Sequence, residues 1–232
     1  MMTMAKQWLL LFRLCLRLDY ARPANFLSPI LFAATLQLVF YFVASDLQRL
    51  NPIVFSLSQT LLAIFFAVQL RFLDLFKAEL ADDAFTILRS RLPHPEVWFL
   101  AKLASTACSC ILVAIASLWM TSLMSAQDSS PILRWDIVVI LAMVILGLTS
   151  LGTLLAALTD GIEHRVLLFP LIYFPLTTPI LLAAGQCSLA LAQNQSTLEN
   201  LLSSWLGLLL IFDAIYVILS TLLFGELLKP ES

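Results

Sequence analysis

Apolar residues run along this chain in six long stretches, at roughly 27–45, 53–73, 99–124, 137–158, 166–190 and 202–224. An α-helix needs about 20 such residues to cross the hydrocarbon core of a bilayer. The pattern therefore predicts six transmembrane helices and an all-α integral membrane protein. No low-complexity linker and no strong internal repeat divides residues 1–232, which read as a single transmembrane domain. Charge is concentrated in one place. The segment 71–102, RFLDLFKAELADDAFTILRSRLPHPEVWFLAK, holds ten of the chain's Lys, Arg, Asp and Glu residues between the second and third spans.

Within that segment, a loop at about 74–98 reads as an amphipathic helix. Leu73, Phe76, Leu80, Phe85 and Leu88 fall on apolar sides, while Lys77, Glu79, Asp82, Asp83, Arg89 and Arg91 stay polar, and Pro93 and Pro95 end the helix. An exposed helix of this kind lies on lipid or fits a groove on a partner. Its acids favour the partner. Residues 5–22 read as a helix lying along the membrane surface, because Lys6, Arg13 and Arg17 fall within about 40° of one another at about 100° per residue. Trp8, Leu9, Phe12 and Leu16 take its apolar side, and Pro23 and Pro29 are expected to break it before the first span. A positive anchor and a mechanical element are both compatible with this pattern. The three cations also interrupt any signal-peptide core, so insertion is expected to rest on the spans themselves.

Sidedness follows from Lys and Arg. With six spans, Lys6, Arg13, Arg17, Arg22, Arg71, Lys77, Arg89, Arg91, Lys102, Arg165 and Lys229 share one side, against Arg49 and Arg134 on the other. Both termini and the charged loop are therefore expected in the cytoplasm. Composition agrees with a membrane protein: 61% hydrophobic, 12% charged and a mean hydropathy of +0.96, where soluble domains carry about 25% charged residues. The net charge of −2 offers no basic excess for nucleic acid.

Two spans carry unusual residues. Pro170, Pro175 and Pro179 recur through the fifth, each removing a backbone hydrogen bond; such kinks line moving gates or stand as static bends. The following stretch, GQCSLALAQNQSTLENLLSSW, is expected to leave the membrane on the outer side, with part of it able to dip back as a re-entrant helix. Asp213 lies near the middle of the sixth span, where a carboxylate costs about 3 kcal/mol on insertion scales. It reads either as a polar contact in a transport path or helix interface, or as a protonated acid paired with a hydroxyl such as Thr153 or Ser150.

Catalytic signatures are missing from the sequence. There is no GxxxxGK[ST], no HExxH and no GxSxG, and the two histidines, His94 and His164, fall in expected loops. Cys15, Cys108, Cys110 and Cys187 show no metal-ligand spacing. The polypeptide is expected to be no enzyme and to bind no metal.

Three stretches carry a family resemblance. Phe76-Lys77-Ala78-Glu79-Leu80-Ala81-Asp82 runs on to Leu100-Ala101-Lys102. Gly152-Thr153-Leu154-Leu155-Ala156-Ala157-Leu158-Thr159 leads into Leu167-Leu168-Phe169-Pro170-Leu171, Pro175, Pro179 and Ile180-Leu181-Leu182-Ala183-Ala184. Phe212-Asp213-Ala214-Ile215 continues to Leu222-Leu223-Phe224-Gly225-Glu226. Together they resemble the CcmB-type permease of the cytochrome c maturation (haem exporter) ABC system. Asp83 stands where that family usually has Gly, and Thr86 where it usually has Glu. The resemblance implies a six-helix, ABC-2-type permease subunit of the bacterial inner membrane. A CcmA-type ATPase would dock on the coupling helix at Phe76, Lys77, Glu79, Asp82, Asp83, Leu88, Arg89 and Arg91. Pro170, Pro175 and Pro179 would serve as gating kinks and Asp213 as an intramembrane polar contact. No cofactor is implied on this chain: ATP belongs to the ATPase, and haem to a CcmC-type subunit, with a small CcmD-type subunit, a CcmE-type haem chaperone and a second permease copy as further partners. The other readings are an ABC-2 permease exporting a lipid-linked glycan or drug, and a membrane assembly scaffold.

Overall fold

The structure is a computed structural model that describes residues 4–43, 52–76, 95–124, 135–159, 162, 164–192 and 205–227. These form seven α-helices and, among the described residues, no strand: α1 (Met4–Tyr20), α2 (Ala24–Val43), α3 (Pro52–Leu73), α4 (Pro95–Met124), α5 (Trp135–Leu158), α6 (Arg165–Ala192) and α7 (Trp205–Leu227). The six from α2 to α7 are each long and apolar enough to cross a membrane, as the hydropathy pattern predicts.

Three boundaries differ from expectation for local reasons. The chain breaks between α1 and α2 at Ala21–Pro23, and Pro29 does not break it. The Pro23 carbonyl accepts the Leu27 amide at 3.0 Å and starts α2, so Pro29 sits one turn in, where a proline removes a single helical bond. α4 begins at Pro95, earlier than 99, because a proline suits the first helical turn and Glu96 there complements the helix dipole. α6 continues through Gly185 to Ala192, where the sequence was expected to leave the membrane. Its polar residue Ser188 is buried and donates to the Ala184 carbonyl at 2.9 Å, so the helix carries it without an unpaired hydroxyl.

α5 is the most buried span and packs against α7, α6 and α4. α3 lies on α2, α4 and α6, and α1 packs on α4. An aromatic column fills the space between α3 and α6. Phe65 stacks on Tyr173 at 5.8 Å and Phe72 meets Phe169 at 6.0 Å and Tyr173 at 5.7 Å. α5 closes over this column at Gly152, where a side chain would occupy the space of the Phe72 ring. Toward the exterior, α2, α6 and α7 present Leu31, Phe42, Leu167, Leu171, Ile215 and Leu222. In a bilayer such residues meet lipid tails at no hydrophobic penalty, and helix association rests on packing and polar contacts.

Candidate functional site

The charged segment of the sequence begins in the last turn of α3, and its start there is built from buried charge. Arg71, 3% exposed, forms an ion pair with Oδ1 of Asp19, the last acidic residue of α1, itself 4% exposed. Oδ2 of Asp19 accepts from the Ser105 hydroxyl of α4 at 2.6 Å. Three helices thus meet at one carboxylate. At about 100° per residue, Asp19 shares a helical face with Trp8, Phe12 and Cys15, and Cys15 is buried with it. Lys6, Arg13 and Arg17 lie on the opposite, exposed side. Removing one partner of a buried pair costs about 3–5 kcal/mol, because the other charge is left uncompensated.

Two further cations hold the same end. The Arg165 guanidinium, at the start of α6, donates to the Phe72 carbonyl at 3.1 Å, one of the carbonyls a helix terminus leaves without an intrahelical partner. Lys102 of α4 is buried with its ammonium 5.6 Å from the centroid of the Phe76 ring, a cation–π distance. Phe76 meets Trp98 at 6.0 Å, and Trp98 and Phe99 both pack on Phe224 of α7, at 5.4 and 4.8 Å. The outgoing stem of the loop is therefore held by α1 and α6, and the returning stem by α7.

Of the residues expected to dock an ATPase, the structure places Phe76, which is 1% exposed and belongs to the chain's own core. Lys77, Glu79, Asp82, Asp83, Leu88, Arg89 and Arg91 lie outside the described residues. Arg71 and Lys102, counted from the sequence as loop cations, belong to the interior ends of α3 and α4. Asp19 and Ser105 were not singled out by sequence reasoning. The readable signal was an acid on the apolar face of α1, in register with Trp8, Phe12 and Cys15.

A second polar centre lies within the membrane. Asp213 is 3% exposed and faces Gly147 of α5, so closely that a side chain at 147 would collide with its Oδ1 and come within 2.7 Å of Ile180. Neither carboxylate oxygen has a hydrogen-bond partner among the described residues. The pairing with Thr153 or Ser150 anticipated from sequence is not formed. The Ser150 hydroxyl donates instead to the Gly147 carbonyl at 2.9 Å, and the Thr153 hydroxyl has no partner among the described residues. The absent side chain at Gly147 is what leaves room for the carboxyl. About two turns along α7, Ser220 donates to the Ser150 carbonyl at 3.2 Å, extending this polar seam between α5 and α7.

The proline-rich α6 is one continuous helix over Pro170, Pro175 and Pro179. Two side chains add bonds around the prolines: Tyr216 of α7 donates to the Leu176 carbonyl at 2.8 Å, and Thr177 of α6 itself donates to the Tyr173 carbonyl at 2.9 Å. Far from the loop, Gln37 of α2 donates to Ser117 O and Thr121 Oγ1, both at 3.1 Å, while Gln59 of α3 donates to Gln37 O at 2.6 Å. Thr60 and Thr121 share a 2.8 Å bond. α2, α3 and α4 are thus joined by polar contacts at that end as well. Nearby, Leu57, Leu61, Ile137, Ile140, Leu141, Ser188 and Leu191 line an apolar cleft of about 10 Å³, roughly the space of one water and too small for a ligand. Among the described residues, no three His, Cys, Asp or Glu side chains gather to hold a metal ion.

Six apolar helices, a seventh joined to them through a buried ion pair, and a charged loop rooted at that pair define an all-α, multi-pass membrane protein. Residues 6–229, nearly the whole chain, match the family model described as CcmB protein, and the chain belongs to that family. It is accordingly a permease component of a cytochrome c maturation ABC transporter, a haem-transport system that works with an ATPase subunit. No curated protein and no solved structure matches the chain.

Proposed function

We propose that this chain is the membrane subunit through which a CcmA-type ATPase drives haem delivery, or release of the CcmE-type haem chaperone, at the outer face of the bacterial inner membrane. Its termini and the 77–94 segment would face the cytoplasm, where the Lys and Arg excess lies. The ATPase would dock on the acids Glu79, Asp82 and Asp83 and the cations Lys77, Arg89 and Arg91, supplying the phosphate-binding loop that this sequence lacks. Haem would be handled by a CcmC-type subunit, with this chain transmitting force and not ligating iron. His164 is exposed in the turn before α6, and His94 falls outside the apolar stretches of the sequence.

The observation that carries this reading is the family match over residues 6–229. The two stems of the charged segment support it, because both are tied into the bundle by buried side chains. The test is co-purification of the ATPase from native membranes after the triple substitution Glu79→Lys, Asp82→Lys, Asp83→Lys. The expected outcome is loss of the ATPase with unchanged membrane insertion. Retention of the ATPase would refute the docking assignment, and stoichiometric, axially ligated haem on the purified chain alone would refute the division of labour.

A further inference from the structure

α1 is the one helix of the described structure outside the six spans, and a surface anchor would have no need of a buried charge. Yet its last turn holds Asp19 against Arg71 and Ser105, the final turn of α3 and the third turn of α4. These two helices are the stems of the charged segment. Both oxygens of Asp19 are used, one by each stem, so neither stem can shift relative to α1 without breaking one of the two contacts. The pair is enclosed by protein, where an ion pair is screened far less than at a surface. The cations on the far side of α1, Lys6, Arg13 and Arg17, remain exposed.

We propose that Asp19, Arg71 and Ser105 form a clamp that makes α1 a working part of the transmission: displacement of the charged segment is passed to α1 through this carboxylate. Asp19 is a positioning residue, acting through the two stems. The proposal rests on the reading that the 77–94 segment receives the ATPase. A static anchor would need only that α1 stay attached. A transmitting clamp also requires that loss of the contact separate ATP hydrolysis from maturation of cytochrome c.

The chain contains its own reporter. Cys15 is buried on the same face of α1, one turn before Asp19. With Cys108, Cys110 and Cys187 replaced by alanine, its rate of alkylation by N-ethylmaleimide measures how often α1 lifts away. The complex with the ATPase is purified carrying Asp19→Asn, Ser105→Ala or the neutral pair Asp19→Asn with Arg71→Gln. Alkylation, ATP hydrolysis and holocytochrome c yield are measured for each. For Asp19→Asn, Cys15 alkylation is expected to rise at least about tenfold, given the uncompensated arginine. The ATPase stays bound and hydrolysing, while cytochrome c formed per ATP falls. The neutral pair, which can still hydrogen-bond, restores protection and yield, and Ser105→Ala gives an intermediate rise of about threefold for one lost bond.

Unchanged alkylation in Asp19→Asn overturns the clamp. Faster alkylation with unchanged yield per ATP overturns its transmitting role and leaves an anchor. Should Asp19→Asn not accumulate, the other two variants decide: a Ser105→Ala protein with wild-type alkylation, or a neutral pair that stays open, is equally fatal. Absence of the ATPase from the unsubstituted complex sinks the docking reading, whereas Cys15 protection still judges the clamp.

Discussion

Asp213→Ala is expected to make this membrane protein more stable, which is unusual for truncation of a fully buried side chain. The two carboxylate oxygens have no hydrogen-bond partner among the described residues, and a buried unsatisfied polar group is worth about 1–3 kcal/mol against the folded state. Truncation removes that penalty but leaves a void, at about 1 kcal/mol for each methyl-sized space. Asp213→Ala alone should thus lie between neutral and about 2 kcal/mol stabilising. Gly147→Ala in the parent protein should go the other way. Its new methyl would meet Asp213 Oδ1 and Ile180, an overpacking of about 1–3 kcal/mol, offset by about 1 kcal/mol from replacing a mid-helix glycine. Combined, the two substitutions fit each other. The alanine methyl at 147 enters the space left at 213, where only the terminal methyl of Ile180 must still give way, so the double variant should be the most stable of the four, by about 1–3 kcal/mol over the parent. The assay is SDS-driven unfolding in mixed micelles, followed by tryptophan fluorescence, in which the buried Trp98 reports. Additive behaviour of the two substitutions, or destabilisation by Asp213→Ala of more than about 1 kcal/mol, would refute the reasoning. Holocytochrome c yield from Asp213→Asn then asks whether the charge is used; a wild-type yield excludes it.

Two further substitutions test the packing. Gly152→Val should destabilise the bundle by about 2–3 kcal/mol through collision with the Phe72 ring, and Phe72→Leu should recover part of that loss in the same unfolding assay. Tyr216→Phe removes the bond to the Leu176 carbonyl and should cost about 1 kcal/mol, read as a lower SDS midpoint with an unchanged unfolding slope.

Hydropathy made the six spans readable because a membrane helix declares itself within about 20 consecutive residues. The mid-span Asp213 was readable for the same reason: charge is rare there. What joins the spans was much less so. Asp19 and Arg71 are 52 residues apart in sequence, and each sits at a helix end, where a charge ordinarily meets water or headgroups. The facial registers held the clue, with Asp19 beside Cys15 and Arg71 beside Ile64 and Val68, all buried. Pro29 and the polar run after Gly185 misled in the same way. Residue type suggested a break, but a proline one turn into a helix removes only one bond, and Ser188 satisfies itself on the preceding turn. The notch that admits Asp213 could not be read at all, because glycine at 147 matters through the side chain it lacks.

The notch at Gly147 has a consequence for how the chain is made. α7 leaves the ribosome after α5 and α6, and it must enter the bilayer carrying a carboxyl group that lipid disfavours. Its surroundings, Gly147 on α5 and Ile180 on α6, belong to helices already synthesised by then. Insertion of α7 is therefore templated: its apolar residues favour the bilayer, and the seat for Asp213 exists only where α5 and α6 have met. Expressed without those helices, α7 would have to place Asp213 in lipid, so the order of synthesis is itself part of what makes this sequence foldable.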